Sequence, residues 1–318
     1  MRVRFWGTRG SIPVSLTWRD VRDRLAQAVL LANGRRLDTM EKAAAFVENE
    51  LEFPLARTFG GHSSCVELEP GSGEYFVCDM GSGARALGAH VLARQGGEPA
   101  TINVFMSHVH WDHIMGFPFF GPAYVPGTNI RIHGCHAELE HAFRLQQDPP
   151  CFPVTFSQLA AKIEFVTLEP GVAREVSGVR VLTKLQRHSG DSYGWRFEAG
   201  GKCLVYSTDS EHQLVEASET LSFVDFFRDA DLVVFDAMYS LADAISVKAD
   251  WGHSSNIVGV ELCQRARAKR LALFHHEPAY GDAAIERVLR ETQRLEELTR
   301  DGPALDVLAA YDGLEIDL

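Results

Sequence analysis

The chain has 318 residues, 46% hydrophobic and 23% charged, a composition that suits a globular fold and excludes a disordered one. Its net charge of −12 opposes bulk nucleic-acid binding, which relies on clustered Lys and Arg releasing counterions, so a small substrate is expected. No stretch is apolar for long enough to cross a bilayer, and the start MRVRFWGTRGSIP lacks a sustained apolar region; no membrane partner and a cytoplasmic location are expected. Six cysteines are scattered without a CxxC pair, most of them in apolar segments, which predicts reduced core residues.

Short runs rich in Val, Ile and Phe alternate with longer helical patterns, which predicts an α/β fold. VRFW (3–6) reads as the first strand. Residues 14–58 then form a helical insertion. TWRDVRDRLAQAVLLANG has a capping-box start at Thr17 and Asp20 and a stop at Asn33-Gly34, and DTMEKAAAFVENE supplies a second helix. Strands follow at 65–69, 75–79 and 102–106. Residues 117–160 form a second insertion, with Phe117, Phe119, Phe120, Tyr124 and Phe152, a strand at 129–133 and a helix near 136–147. Each insertion is equally compatible with peripheral packing and with a lid or pocket wall. Later strands are expected at 163–167, 178–185, 193–198, 203–207, 232–236, 271–274 and 305–310. GSGE and AGGK join paired runs as hairpins, so mixed sheets are expected within one domain spanning 1–318.

The segment SHVHWDH, residues 107–113, follows directly from the strand INVFM. His108, His110 and Asp112, two residues apart, can project to one side as that strand ends, and His113 starts the following turn. Four such groups at the carboxyl end of a buried strand would each cost desolvation unless a cation binds them. Imidazole with carboxylate suits zinc, and manganese or iron also fit.

The HxHxDH spacing resembles that of the metallo-β-lactamase superfamily of binuclear metallohydrolases. The order of LQRHSGDSYGWRFEAGGKCLVYSTDS, DLVVFDAMY, WGHSS and LALFHHEPAY is similar to the ribonuclease Z and phosphoribosyl cyclic phosphodiesterase branch, from residue 3 to about 282. The resemblance implies an αββα sandwich of two mixed sheets flanked by helices. It also implies two divalent metal ions, Zn2+ foremost and Mn2+ or Fe2+ as alternatives. His108, His110 and His188 would hold the first ion and Asp112, His113 and His275 the second, with Asp209 bridging. His275 is preferred to His276 because it directly follows the strand LALF and stands two residues before the Glu-Pro step. His253 would be a proton donor oriented by Asp236, and Asp112 completes the catalytic set; His253 could instead cap the helix SSNIVGVELCQRA, as Ser254 or Ser255 could. Asp236 stands where ribonuclease Z has Glu. Asp79 in FVCDMGSG would support a ligand His, and GTRGS (7–11) and FGGHSSC (59–65) would border the phosphate site. His62 departs from the GGNTSC pattern of related sequences.

The leading expectation is therefore a two-metal phosphodiesterase acting on a small, cyclic or linear, nucleotide-like phosphodiester, with Phe117, Phe119, Phe120 or Tyr124 as a stacking wall. A ribonuclease Z-like RNA 3′ endonuclease is the nearest alternative, although no basic run exceeds GRR or RAKR. A lactone, β-lactam or thioester hydrolase could use the same cage. A non-enzymatic sensor is disfavoured because all seven ligand positions are filled, and a homodimer is compatible with the chain.

Overall fold

A computed structural model describes residues 1–212, 217–238 and 254–318. Its strands are β1 (Arg2–Gly7), β2 (Cys65–Glu69), β3 (Tyr75–Cys78), β4 (Thr101–Phe105), β5 (Asn129–Gly134), β6 (Lys162–Thr167) and β7 (Arg174–Val176). They continue as β8 (Val179–Gln186), β9 (Ser192–Ala199), β10 (Lys202–Ser207), β11 (Leu232–Asp236), β12 (Arg270–Phe274), β13 (Asp306–Ala309) and β14 (Glu315–Asp317). They form two seven-stranded sheets, β14-β1-β2-β3-β4-β5-β6 and β13-β12-β11-β10-β9-β8-β7. Each sheet is half antiparallel and half parallel: β3 to β6 run parallel in the first, β10 to β13 in the second.

Alternation explains the outer strands. β1 buries Val3 and Phe5 between the sheets and turns Arg2, Arg4 and Trp6 to the other face, where only Trp6 of the three packs against a core. The interior strands β3 and β11 are buried on both faces and read as unbroken apolar runs. Between the sheets lies one core, built from residues such as Phe5, Phe76, Phe105, Trp195, Phe197 and Phe274. Two further cores lie outside the sheets. α4 (Ala84–Gln95) covers the first sheet through Leu87 and Val91; α7 (Ala217–Phe227), α8 (Asn256–Ala266) and α9 (Asp282–Thr299) cover the second. The expected αββα sandwich of mixed sheets is the observed one.

Both expected hairpins are present, β2 with β3 and β9 with β10. The edge strands β7 and β14, three residues each, are too short for a period to register in the sequence. In the 14–58 segment lie α1 (Trp18–Leu31), with the Thr17/Asp20 capping box formed, α2 (Met40–Glu50) and α3 (Phe53–Ala56). The 117–160 segment contains β5, an interior strand, and α6 (Leu139–Leu145). Among the described residues no helix is long and apolar enough to cross a membrane.

Candidate metal centre

The carboxyl ends of β3, β4, β8, β10, β11 and β12 lie together, and the residues at or just past those ends make the site. β4 stops at Phe105; His108 and His110 follow in extended chain, and α5 (Trp111–Ile114) then winds Asp112 and His113 into one helical turn. The alternation expected for His108, His110 and Asp112 therefore ends at His110. Asp112 joins His113 rather than the two earlier histidines, because a residue step in a helix rotates the side chain by about 100°. Gly81 allows that turn to sit close, since a Cβ there would lie 2.4 Å from the Asp112 carbonyl.

Two trios result. Ligand atoms of His108, His110 and His188 lie within 4.8 Å of one another, and so do those of Asp112, His113 and His275. Asp209 lies between them. Its Oδ2 is 3.8 Å from Nε2 of His108 and of His188, while Oδ1 is 3.2 Å from Nε2 of His113 and 3.3 Å from Nε2 of His275. Asp112 Oδ2 is 3.2 Å from His113 Nε2 and 3.5 Å from His275 Nε2. The first trio is the open side, with His110 exposed; the second is buried throughout.

Asp79 fixes the second trio from behind. In the neutral imidazole the His113 Nδ1–H donates to Asp79 Oδ2 at 2.8 Å and Nε2 keeps its lone pair, facing Asp112 and Asp209. The same carboxylate accepts from the Ser107 N–H and hydroxyl, both at 2.7 Å, and from the Tyr206 hydroxyl at 2.8 Å. Ser107 and Tyr206 were not foreseen. The position of Ser107 immediately before His108 was a usable signal; Tyr206 carried none.

Burial pushes the Asp112 and Asp209 carboxyls up. Neighbouring histidines outweigh it, His113 for Asp112 and His275, His113 and His108 for Asp209, and hold both well below the usual carboxylate range. Burial, then His113, pushes His108 well down; burial and His188 lower His110. Burial opposes protonation of His113, yet Asp209, Asp112 and Asp79 hold it well above its ordinary value. The site thus keeps two buried carboxylates ionised and demands a positive charge between them. The buried Nε2 atoms of His108 and His113 make no hydrogen bond among the described residues. A donor set of imidazole nitrogens and carboxylate oxygens with unbonded nitrogens turned inward fits two divalent ions.

The remaining candidates fall around this cage. Asp236 is buried at the end of β11, accepts from the Ser210 and Met238 N–H groups, and stands 3.9 Å from His275 Nδ1. His253 lies outside the described residues. Ser254 Oγ accepts from the His212 N–H at 3.1 Å and donates to the Ser210 carbonyl, tying the approach to α8 to the loop after Asp209. Ser255 is the N-cap residue but makes no side-chain cap bond. His276 is buried away from the trios, with Nε2 2.8 Å from the Ala310 carbonyl, and burial pushes it down to about 4. His62 lies 3.2 Å from the Ser82 hydroxyl, in the floor formed by the two glycine loops. Arg9 bridges Ser63 and His276, and Gly10 passes so close that a Cβ would sit 2.6 Å from the His275 ring.

The stacking wall is smaller than expected. Phe117 and Phe120 are fully buried in the core against α4, so neither can meet a ligand. Phe119 stays 58% exposed, edge-on to Phe152, and Tyr124 38%. Trp111, between two cage residues, is 69% exposed; its place in the motif hid it among the ligands.

Residues 75–276 match the family described as Beta-lactamase superfamily domain. The chain is 26% identical to ribonuclease Z of Staphylococcus aureus (strain Newman) over 302 residues, 79% of this chain and 92% of the relative. Among solved structures it is similar to the metallo-beta-lactamase fold protein YhfI from Bacillus subtilis, with TM-score 0.65, 18% identity and coverage of 99% and 98% of the two chains. It is also similar to a diphosphatase from the PhnP family, with TM-score 0.59, 17% identity and coverage of 100% and 97%.

Proposed function

The chain belongs to the beta-lactamase superfamily and has the metallo-β-lactamase fold, and from that premise we propose that it is a two-metal phosphodiesterase acting on a small nucleotide-like phosphodiester. The observation that carries the reading is Asp209, one oxygen turned to each trio. In this proposal His108, His110 and His188 hold one ion, Asp112, His113 and His275 the other, and Asp209 both, with Zn2+ preferred to Mn2+ or Fe2+ for the imidazole-rich set. When bound, the ions supply activation of water near neutral pH and neutralise charge building on phosphorus.

The chain's own groups do the rest. Asp79 holds the His113 proton at Nδ1 and keeps Nε2 available. Asp236 orients His275 from behind and, in this reading, His253 as well, whose imidazolium protonates the departing oxygen. Asp112 belongs to the catalytic set as the carboxylate of the second trio. Trp111, Phe119 and Tyr124 offer exposed ring faces for a base. The whole chain acts as one hydrolase domain in the cytoplasm, consistent with six free cysteines. The likeness to a diphosphatase supports phosphoester chemistry, while the likeness to ribonuclease Z over 92% of its length favours an RNA 3′ endonuclease as second reading.

The test is an assay of metal-loaded protein on bis(p-nitrophenyl) phosphate, p-nitrophenyl phosphate, a precursor tRNA, a chromogenic β-lactam and a thioester. Turnover of the diester is expected. Activity confined to the β-lactam or thioester overturns the proposal, and preference for the tRNA selects the second reading.

A further inference from the structure

α1 is inverted. It buries no residue, and Trp18, Val21, Leu25 and Val29 are 46 to 72% exposed. At about 100° per residue these four fall within an arc of about 80°, an apolar stripe that faces away from the body. Its polar side faces inward instead. Asp20, Asp23, Arg24 and Gln27 line a cleft of about 920 Å3 opposite Glu286 and Arg290 of α9, and Arg24 is hydrogen-bonded to buried Asp282 and to the Arg57 carbonyl.

We propose that the stripe is a self-association surface, covered by α1 of a second copy packed antiparallel about a two-fold axis at Leu25. Its spacing is self-complementary. Trp18 and Ala32 each lie seven residues from Leu25, and Val21 and Val29 each four, so the two-fold sets the large Trp18 ring against small Ala32 and Val21 against Val29. The four residues expose roughly 500 Å2, in the upper part of the range for the largest patch on a monomer, which is often functional, and a polar rim would bring it toward the ~800 Å2 per partner of a stable interface. Arg19 and Arg22 flank the stripe on one side, each with its guanidinium over the Trp18 ring, and Arg22 is already paired with Asp23. An anionic membrane would instead have to take up a chain of net charge −12.

Sedimentation velocity of the full chain tests the proposal. A dimer is expected at micromolar concentration, and Leu25→Asp, at an exposed position, should weaken it at least ~100-fold while the circular-dichroism spectrum and metal content stay unchanged. In a Cys151→Ser background with added oxidant, Leu25→Cys should crosslink to itself and Asp23→Cys should not. A monomeric wild type, a Leu25→Asp protein that remains dimeric, or a monomer that binds phosphatidylserine vesicles through the stripe would each overturn it.

Discussion

The metal centre and α1 break the usual rule of burial in opposite senses. Around Asp209 the fold hides ionised carboxylates and unbonded imidazole nitrogens; along α1 it displays Trp18, Leu25 and Val29 to water. Each departure is costly to a chain in isolation, and each identifies what is needed to complete it. Buried charge calls for opposite charge, supplied by cations, and exposed apolar surface calls for more apolar surface. The two regions also differ in what holds them. The centre is anchored by the ends of six strands and by hydrogen bonds converging on Asp79, whereas α1 is fastened chiefly by polar contacts of Arg24.

Changes at the centre should therefore be severe. Asp209→Ala removes the carboxylate common to both trios; we expect bound metal to fall from two ions to at most one and turnover to drop by ~10⁴-fold or more, read by elemental analysis and the diester assay. His253→Ala should keep both ions and slow turnover by ~10²–10⁴-fold, and loss of metal would instead make His253 a ligand. Asp79→Asn keeps the shape but drops the charge behind His113; metal affinity measured against a chelator should weaken by about 10- to 100-fold. Chelation should lower the melting temperature of the wild type, and zinc restored to 100 times its dissociation constant should return about 2.7 kcal/mol for each site filled. Trp18→Ala on α1, measured on protein dilute enough to be monomeric, should change stability by less than about 0.5 kcal/mol, and a larger loss there would show that the stripe already packs within the chain.

A further effect concerns a buried imidazole that belongs to neither region. His133 stacks on Phe105, and burial, aided by Arg131, pushes it down to about 4. The unfolded chain takes up that proton near 6.5 and the folded one only near 4, so stability falls as pH drops across this window. His133→Phe should flatten the decline, as followed by denaturant titrations at pH 7, 5.5 and 4.5.

Much of the centre is legible in the sequence because its parts sit at strand ends, where an apolar run stops and a His or Asp begins. SHVHWDH and His275 have that form; His188 and Asp209 also lie near strand ends but are singled out only by the family resemblance, and the structure brings all of them together. The trio to which Asp112 turns is not legible, since it depends on where α5 begins winding. Nor is the fate of the FPFF run: Phe117, Phe119 and Phe120 are chemically identical, and only the 3₁₀ turns decide that two are core and one is exposed. The capping box at Thr17 announces α1 but not its orientation. An amphipathic pattern specifies which residues share a face and leaves open whether that face meets the body.

Asp79, Asp209 and His275 all adopt left-handed backbone, with φ of 59°, 46° and 60°. Each costs on the order of 1 kcal/mol that glycine would not incur, and Asp209 adds the cost of a buried charge. Asp209→Gly should thus fold better than the working protein when no metal is supplied. Inactive descendants of this chain would be the sturdier ones, so the centre persists only where selection for its chemistry outweighs a standing advantage of losing it.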